Sequence, residues 1–289
     1  MNYLNDNFFN FFENNVNIIF LIFFIYILYY KFFRSKNRGL FICFEGIDKV
    51  GKTSQSKKLY DILKKKYNNK VILMSFPDRS EDKTGKIIDN FLKCKENYYI
   101  LNKNGDIDYE KSHIYIHNLF SLNRLNKKND IENLLNDGYI IICDRYIYSG
   151  VCYKTSSYIS IKSKDNILDD NYMYNYCKKS LKNEIENYSP IMPDLVFLFL
   201  KNTYDDKDLE IYDNKDLEIY EKDKNFQSLT QKLFIYLMTI SSSSSSSHKI
   251  TKTKICQWIA MQNTTELNFN FQLKTIEECV ENILNIKYN

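Results

Sequence analysis

Residues 40–53, LFICFEGIDKVGKT, decide how the whole chain is read. Leu40 to Phe44 is a short apolar run with the character of a strand buried on both faces. Gly46-Ile47-Asp48-Lys49-Val50-Gly51-Lys52-Thr53 then matches G-x-x-x-x-G-K-[ST] at every fixed position. Thr53 to Tyr67 continues with apolar residues at helical spacing among lysines. A glycine loop between a strand and a helix aims successive N–H groups at one point, and the helix N-terminus adds positive potential there. The segment predicts a phosphate site built by Gly46, Asp48, Lys49, Val50, Gly51, Lys52, Thr53 and Ser54. Lys52 is expected to reach the β- and γ-phosphates and Thr53 to hold Mg²⁺.

Outward from this loop, strand and helix patterns alternate. Val71–Phe76, Tyr139–Cys143, Leu195–Leu200 and the weaker Ile255–Met261 read as further strands. Helical spacing runs through Tyr109–Asn136 with a break near Lys128, through Glu221–Ile240 and through Thr275–Ile286. Such alternation predicts an α/β domain with a parallel, about five-stranded sheet covered on both faces. Three stretches look inserted, near residues 158–175, 203–217 and 241–253. The first is polar without a clear period. The second overlaps a tandem duplication of KDLEIYDN (207–214) as KDLEIYEK (215–222), and the third opens with seven serines.

The 289 residues carry 40 Lys plus Arg against 36 Asp plus Glu. A net charge of +4 is slight at this size and makes no case for nucleic-acid binding. Composition is skewed more than charge: 35 Lys against 5 Arg, 34 Asn, 24 Tyr and 20 Phe, but one Ala, three Pro and seven Gly. The abundant residues have A/T-rich codons, so each retained Arg, Gly and Pro is informative. Seven cysteines without a C-x-x-C pair point to a reducing compartment, with no disulfide framework or zinc site. His113 and His117 share a helical face, where packing is a better reading than metal ligation.

Near the N-terminus, Val16 to Phe33 is apolar apart from Asn17 and Lys31. As a helix this run reaches about 27 Å, close to a hydrocarbon core of about 30 Å. It predicts a membrane-anchor helix at about 16–33 within a leader of residues 1–38. Lys31, Arg34, Lys36 and Arg38 follow the run, which places the remainder, 39–289, on the cytosolic side. A helix packed on the domain and an organelle-import leader are the alternatives.

The glycine loop alone leaves GTPases, motor ATPases and small-molecule kinases open. Further motifs narrow the choice. Phe44-Glu45-Gly46-Ile47-Asp48 through Gly51-Lys52-Thr53-Ser54-Gln55 is followed by Phe76-Pro77-Asp78-Arg79 and Leu119-Phe120-Ser121-Leu122-Asn123-Arg124. Then come Asp144-Arg145-Tyr146 with Ser149-Gly150 and Tyr153, Pro193-Asp194-Leu195, and Ile219-Tyr220-Glu221 with Phe226-Gln227. Three of the five arginines (79, 124, 145) lie in these motifs. In kind and order they resemble the thymidylate kinase family of nucleoside monophosphate kinases.

That resemblance implies a three-layer fold of the P-loop NTPase type, ATP as phosphoryl donor, Mg²⁺, and dTMP as acceptor. It implies a dTMP site formed by Asp48, Phe76, Arg79, Phe120, Arg124, Arg145, Ser149, Gly150, Tyr153, Tyr220 and Gln227. Arg79 and Arg145 would grip the acceptor phosphate, which a guanidinium suits by bidentate bonding. Phe120 would stack on the base and Arg124 bond a base carbonyl. Asp48 would accept from the 3′-hydroxyl, while Tyr153 and Tyr220 would crowd the sugar. Lys52, Asp144, Arg145 and Lys49 would carry catalysis, with Thr53 and Asp144 at the metal. A homodimer follows by the same analogy.

One feature of the family is missing. It supplies an arginine beside the transferring phosphoryl group, from the loop or the lid. Here the loop position is Lys49, and Lys201 to Leu233 contains no arginine. An arginine finger is worth about 10³–10⁵ in rate. Lys49, Lys222 or Lys224 would substitute as a point charge without the bidentate fork. Readings left beside dTMP phosphorylation are a kinase of another deoxynucleotide, such as dGMP, and a tethered nucleotide-binding protein with weakened catalysis.

Overall fold

Leu40–Gly46 (β1) lies at the middle of the molecule, and all seven of its residues are buried. It pairs in parallel with Ile140–Asp144 (β3) on one side and Leu195–Lys201 (β4) on the other. Val71–Ser75 (β2) adds to β3, and Gln257–Asn263 (β5) to β4. The result is a five-stranded parallel sheet in the order β2-β3-β1-β4-β5. The computed structural model describes residues 38–67, 69–93, 98–163, 168–201, 218–243, 257–263 and 266–288.

Eight helices of the described residues cover the sheet or extend it. They are α1 (Lys52–Lys66), α2 (Gly85–Leu92), α3 (Tyr109–Asn126), α4 (Lys128–Asn136), α5 (Ile147–Lys162), α6 (Asp170–Tyr188), α7 (Lys224–Ser243) and α8 (Glu266–Tyr288). The break expected near Lys128 is the junction of α3 and α4, where Lys127 closes one helix and opens the next. Strands hydrophobic along their whole length need helices on both faces. Leu59 and Leu63 of α1, Cys152 of α5, Leu233 and Leu237 of α7, and Ile276 and Val280 of α8 supply that cover, all essentially inaccessible. A smaller apolar cluster of Ile88, Leu92, Ile116 and Leu119 joins α2 to α3 away from the sheet.

Several expectations change. The polar stretch at 158–175 is mostly helical: α5 continues to Lys162 and α6 starts at Asp170. Ile159 and Met173 are buried within it and Cys177 just beyond it, so a sparse apolar stripe suffices where two helices pack on each other. Ser241 to Ser243, read as the opening of the third inserted stretch, instead end α7. The last helix begins at Glu266, well before Thr275. The anchor helix expected at 16–33, the first octapeptide copy and most of the serine run lie outside the described residues. Among the described residues, no helix is long and apolar enough to cross a membrane.

The chain leaves β1 toward β2 and β3, then returns on the other side of β1 as β4. In a parallel sheet such a reversal opens a crevice at the carboxyl ends of the strands. The loops after β1, β2 and β3 all empty into it.

Candidate active site

A cleft of about 680 Å³ occupies that crevice. The glycine loop lines one end with Asp48, Lys49, Gly51, Lys52, Thr53 and Ser54. Gly46 sits at φ 137°, and a Cβ there would lie 2.4 Å from the Phe199 carbonyl oxygen. Only glycine lets the chain turn so tightly against β4. Lys49 at φ 60° and Gly51 at φ 87° continue the turn into α1.

Lys52 is buried at the first position of α1 and donates from Nζ to the Ile47 carbonyl. Burial first and Arg145 second push its ammonium pKa down to about 7, and Asp48, Asp144 and Glu45 only partly oppose them. A phosphate arriving at this point would supply the missing negative charge. Thr53 Oγ1 donates to Asp144 Oδ2, while Asp144 Oδ1 is buried and meets no partner among the described residues. A hydroxyl and a carboxylate with an unused buried oxygen are hard donors of the kind Mg²⁺ takes. Among the described residues no cluster of three His, Cys, Asp or Glu side chains could hold a metal, so phosphate oxygens and water would have to complete the shell.

Asp48 is the hub of the cleft. Its Oδ1 accepts from Arg145 Nη2; its Oδ2 accepts from Tyr153 Oη at 2.6 Å and from Gln227 Nε2 at 2.8 Å. The Asp48 amide donates to Gln227 Oε1 at 3.1 Å. Burial opposes the carboxylate charge, but Arg145 and Lys52 outweigh it and hold Asp48 below the usual carboxylate range. Arg145, at φ 66°, also donates to the Gly46 carbonyl at 2.7 Å and lies over the Tyr153 ring at 5.3 Å.

Glu45, inside β1, carries no solvent exposure. Its Oε1 accepts from the amides of Tyr146 and Ser149 at 3.0 and 3.3 Å, and its Oε2 from the Ser149 hydroxyl. A carboxylate at the N-terminus of α5 satisfies helix amides that would otherwise lack acceptors. Burial raises its pKa, and the Ser149 bond and Arg145 act against that rise.

At the far end, Phe76, Arg79, Phe120, Arg124, Ser149, Gly150, Tyr153, Glu218, Tyr220 and Glu221 line the cleft. Arg79 donates to Asp89 Oδ1 at 2.8 Å and to Glu218. Asn123 clamps the Pro77–Arg79 turn, accepting from the Asp78 amide at 2.7 Å and donating to the Asp78 carbonyl at 2.9 Å. Tyr220 stacks on Phe226 at 4.9 Å and meets Tyr153 edge-on at 5.4 Å. Its backbone carbonyl accepts from Gln227 at 2.7 Å, which ties the lid residue to Asp48. Phe120 faces His117 at 5.9 Å, and His117 and His113 pack on one another at 4.6 Å. Burial lowers the pKa of both imidazoles, His113 to about 4.

Every expected site residue except Gly46, Val50 and Gln227 lines this one cleft; Gly46 and Gln227 bond to residues that do. Val50 is buried, so only its backbone can serve a phosphate. Lys49 approaches Glu221 at 3.9 Å. Glu45, Asn123, Glu184 and Glu218 escaped sequence reasoning. Glu45 had a signal, being a carboxylate inside an apolar strand. Glu184 had none, since nothing distinguishes one glutamate of a polar helix from its neighbours.

Comparison with known proteins points to one family. The family model described as thymidylate kinase matches residues 44–253. A thymidylate kinase of Plasmodium falciparum is 40% identical over 122 residues, covering 42% of this chain and 51% of that one. One from Caenorhabditis elegans is 37% identical over 126 residues, covering 41% and 51%. The chain spans about half the length of the curated relatives it matches. Among solved structures, thymidylate kinase from Candida albicans has a TM-score of 0.54 at 26% identity, with 87% of this chain and 94% of that one covered. That from Ehrlichia chaffeensis has a TM-score of 0.52 at 17% identity, covering 84% and 99%, a likeness of fold.

Proposed function

Because the chain belongs to the thymidylate kinase family, we propose that it transfers the γ-phosphoryl group of ATP to the phosphate of dTMP, giving ADP and dTDP. The observation that carries this reading is the convergence on one cleft of the glycine loop, Asp144, Arg145, Arg79, Phe120 and Arg124. A phosphate donor, a phosphate acceptor and a base each have matching side chains there.

Loop amides and Lys52 hold the donor phosphates, Lys52 exchanging the Ile47 carbonyl for phosphate oxygens. Thr53 and Asp144 would hold Mg²⁺, which would supply charge neutralisation for the phosphates. Arg145 and Arg79 grip the acceptor phosphate. A carboxylate offers about four lone-pair sites; Asp48 has three in use, leaving one for the sugar 3′-hydroxyl. Tyr153 and Tyr220 wall the sugar, with Gln227 setting Tyr220. Ser149 steadies Arg145, accepting from its Nη1 at 3.3 Å. No general base is required, because the attacking phosphate oxygen is already anionic; positioning and charge neutralisation dominate. Lys49 stands nearest the missing arginine's place, so a competent but slow kinase is expected.

Incubating the full chain with ATP, Mg²⁺ and each nucleoside monophosphate in turn, while following ADP, tests this. Turnover with dTMP is expected. Turnover with dGMP alone, or ATP binding with no turnover on any acceptor, would overturn it.

Two attachments belong to the same proposal. Ile114, Tyr115, Leu122 and Leu125 form an exposed apolar stripe on one face of α3, which supports a homodimer; sedimentation at micromolar concentration tests it. The apolar run at 16–33 supports a membrane anchor with the kinase domain in the cytosol, and carbonate extraction of a membrane fraction tests that.

A further inference from the structure

Three arginines face the cleft, and each bonds a carboxylate. Two of those bonds lie inside the cleft: Arg145 with Asp48, and Arg79 with Glu218. Arg124 differs. Its partner Glu184 comes from α6, sixty residues further along the chain, and does not line the cleft. Arg124 and Glu184 are each 5% exposed. Arg124 Nη2 donates to Glu184 Oε1 at 2.5 Å and to Ser121 Oγ at 3.1 Å, and Ser121 Oγ donates to Glu184 Oε2 at 2.8 Å. The three groups close a triangle behind the guanidinium.

On another side lies Gly150. A Cβ there would stand 2.6–2.7 Å from Nη1, Nη2 and Cζ of Arg124, so the guanidinium lies directly against the α5 backbone. Pinned between Gly150 and Glu184, it has little room to turn. Its Nε is buried and meets no partner among the described residues. Arginine has donors only, and its charge is already balanced from behind. What suits such a group is a neutral acceptor rather than a second phosphate.

We propose that Glu184 is a positioning residue that fixes Arg124 as a hydrogen-bond donor to a carbonyl on the base, so that the cleft selects keto bases over amino bases. This rests on the reading of the cleft as a nucleoside monophosphate site. An amino group in the same place would set donor against donor. A buried donor left without an acceptor costs more than an ordinary bond gains. Glu184 thus acts on base choice without touching the base.

The test uses the full chain with ATP and Mg²⁺, comparing dTMP with 5-methyl-dCMP, which carries an amino group where dTMP has the 4-carbonyl. Wild type, Glu184→Gln, Arg124→Met and the double variant are measured for kcat, KM and, by calorimetry, monophosphate affinity. Glu184→Gln is expected to raise KM for dTMP about tenfold with kcat within about twofold. It should narrow the preference for dTMP over 5-methyl-dCMP by about the same factor. In the Arg124→Met background it should add nothing. Equal losses on both monophosphates, or a further loss in the Arg124→Met background, would overturn the proposal.

Should Glu184→Gln lack a cooperative melt, Ser121→Ala removes one edge of the triangle and keeps the ion pair. A two- to threefold narrowing of the preference is then expected, about what one weak hydrogen bond supplies, and an unchanged preference overturns the role. If wild type binds dTMP without turning it over, the function proposed above fails while the affinity ratios still judge Glu184. If it binds neither monophosphate, both fall.

Discussion

Arg145 and Asp48 are joined across the cleft, the guanidinium at the end of β3 bonded to the carboxylate of the glycine loop. The same guanidinium bonds the Gly46 carbonyl, and Asp48 also receives Tyr153 and Gln227. Four segments separated by as many as 179 residues therefore meet at one carboxylate.

Asp48→Asn is expected to lower stability by about 2 kcal/mol, because it removes the charge that faces a half-buried guanidinium. The folded-state pKa of Asp48 is depressed. Its contribution is therefore present above the unfolded aspartate value, about 4, and lost as pH falls through the lower folded value. Urea midpoints between pH 3 and 7 should show an acid limb in wild type that is weaker in the variant. Parallel profiles would contradict the assignment.

Lys52 gives a slope of the same direction but costs stability at neutral pH, where Asp48 contributes it. Its ammonium is depressed to about 7 in the folded chain, against about 10.4 unfolded. Between those values the unfolded chain binds more protons, so this group makes stability rise with pH from about 7 to about 10. Lys52→Met should remove that slope, raise stability at neutral pH and abolish ATP binding. Binding of ATP at pH 8 should take up a proton, seen as a dependence of calorimetric heat on buffer ionisation enthalpy.

Gly150→Ala tests the close approach of the Arg124 guanidinium to α5. Alanine is favoured over glycine inside a helix by about 0.8–1 kcal/mol, but here its Cβ would displace the Arg124 guanidinium. The displaced guanidinium is pinned against Glu184, so crowding outweighs the propensity gain. Stability should fall by about 1–3 kcal/mol, and KM for dTMP should rise about tenfold. A stabilised variant with unchanged KM would show that Arg124 plays no part in acceptor binding.

Glu218 occupies Arg79 where the acceptor phosphate is proposed to sit. The pair is about one-third exposed on the arginine side, and such bridges are worth about 0.2–1 kcal/mol. Glu218→Gln should lower KM for dTMP by about two- to fivefold, an effect that fades at high salt. A raised KM would mean that Glu218 orients Arg79 instead of competing for it.

Lys49, beside Glu221 at the mouth of the cleft, gives the last test. Lys49→Ala should reduce kcat by about 10- to 100-fold and Lys49→Arg should increase it, since a fork serves a phosphoryl group better than a point charge. Equal turnover in all three proteins would remove Lys49 from catalysis and return attention to Lys222 and Lys224.

Much of the site was legible because scarce residues mark it. Arg79, Arg124 and Arg145 stand out in a chain that otherwise uses lysine, and the glycine loop has fixed spacing around Lys52 and Thr53. The strands were legible because parallel strands buried on both faces read as unbroken apolar runs. Helices α5 and α6 were not, because their apolar positions are few and their tyrosines and serines satisfy no single period.

The amino-acid sequence determined by itself the strand–glycine loop–helix unit of β1 and α1, the succession of the strands, and the scarce arginines that line the cleft. Those features are local, since backbone geometry and hydrophobic period are set by neighbours in the chain. Only the tertiary structure decided how each charge is held. Glu45 reaches Ser149, Asp48 reaches Gln227, and Glu184 reaches Arg124 across 104, 179 and 60 positions. A buried charge needs its partner in space, and sequence distance carries no record of that pairing.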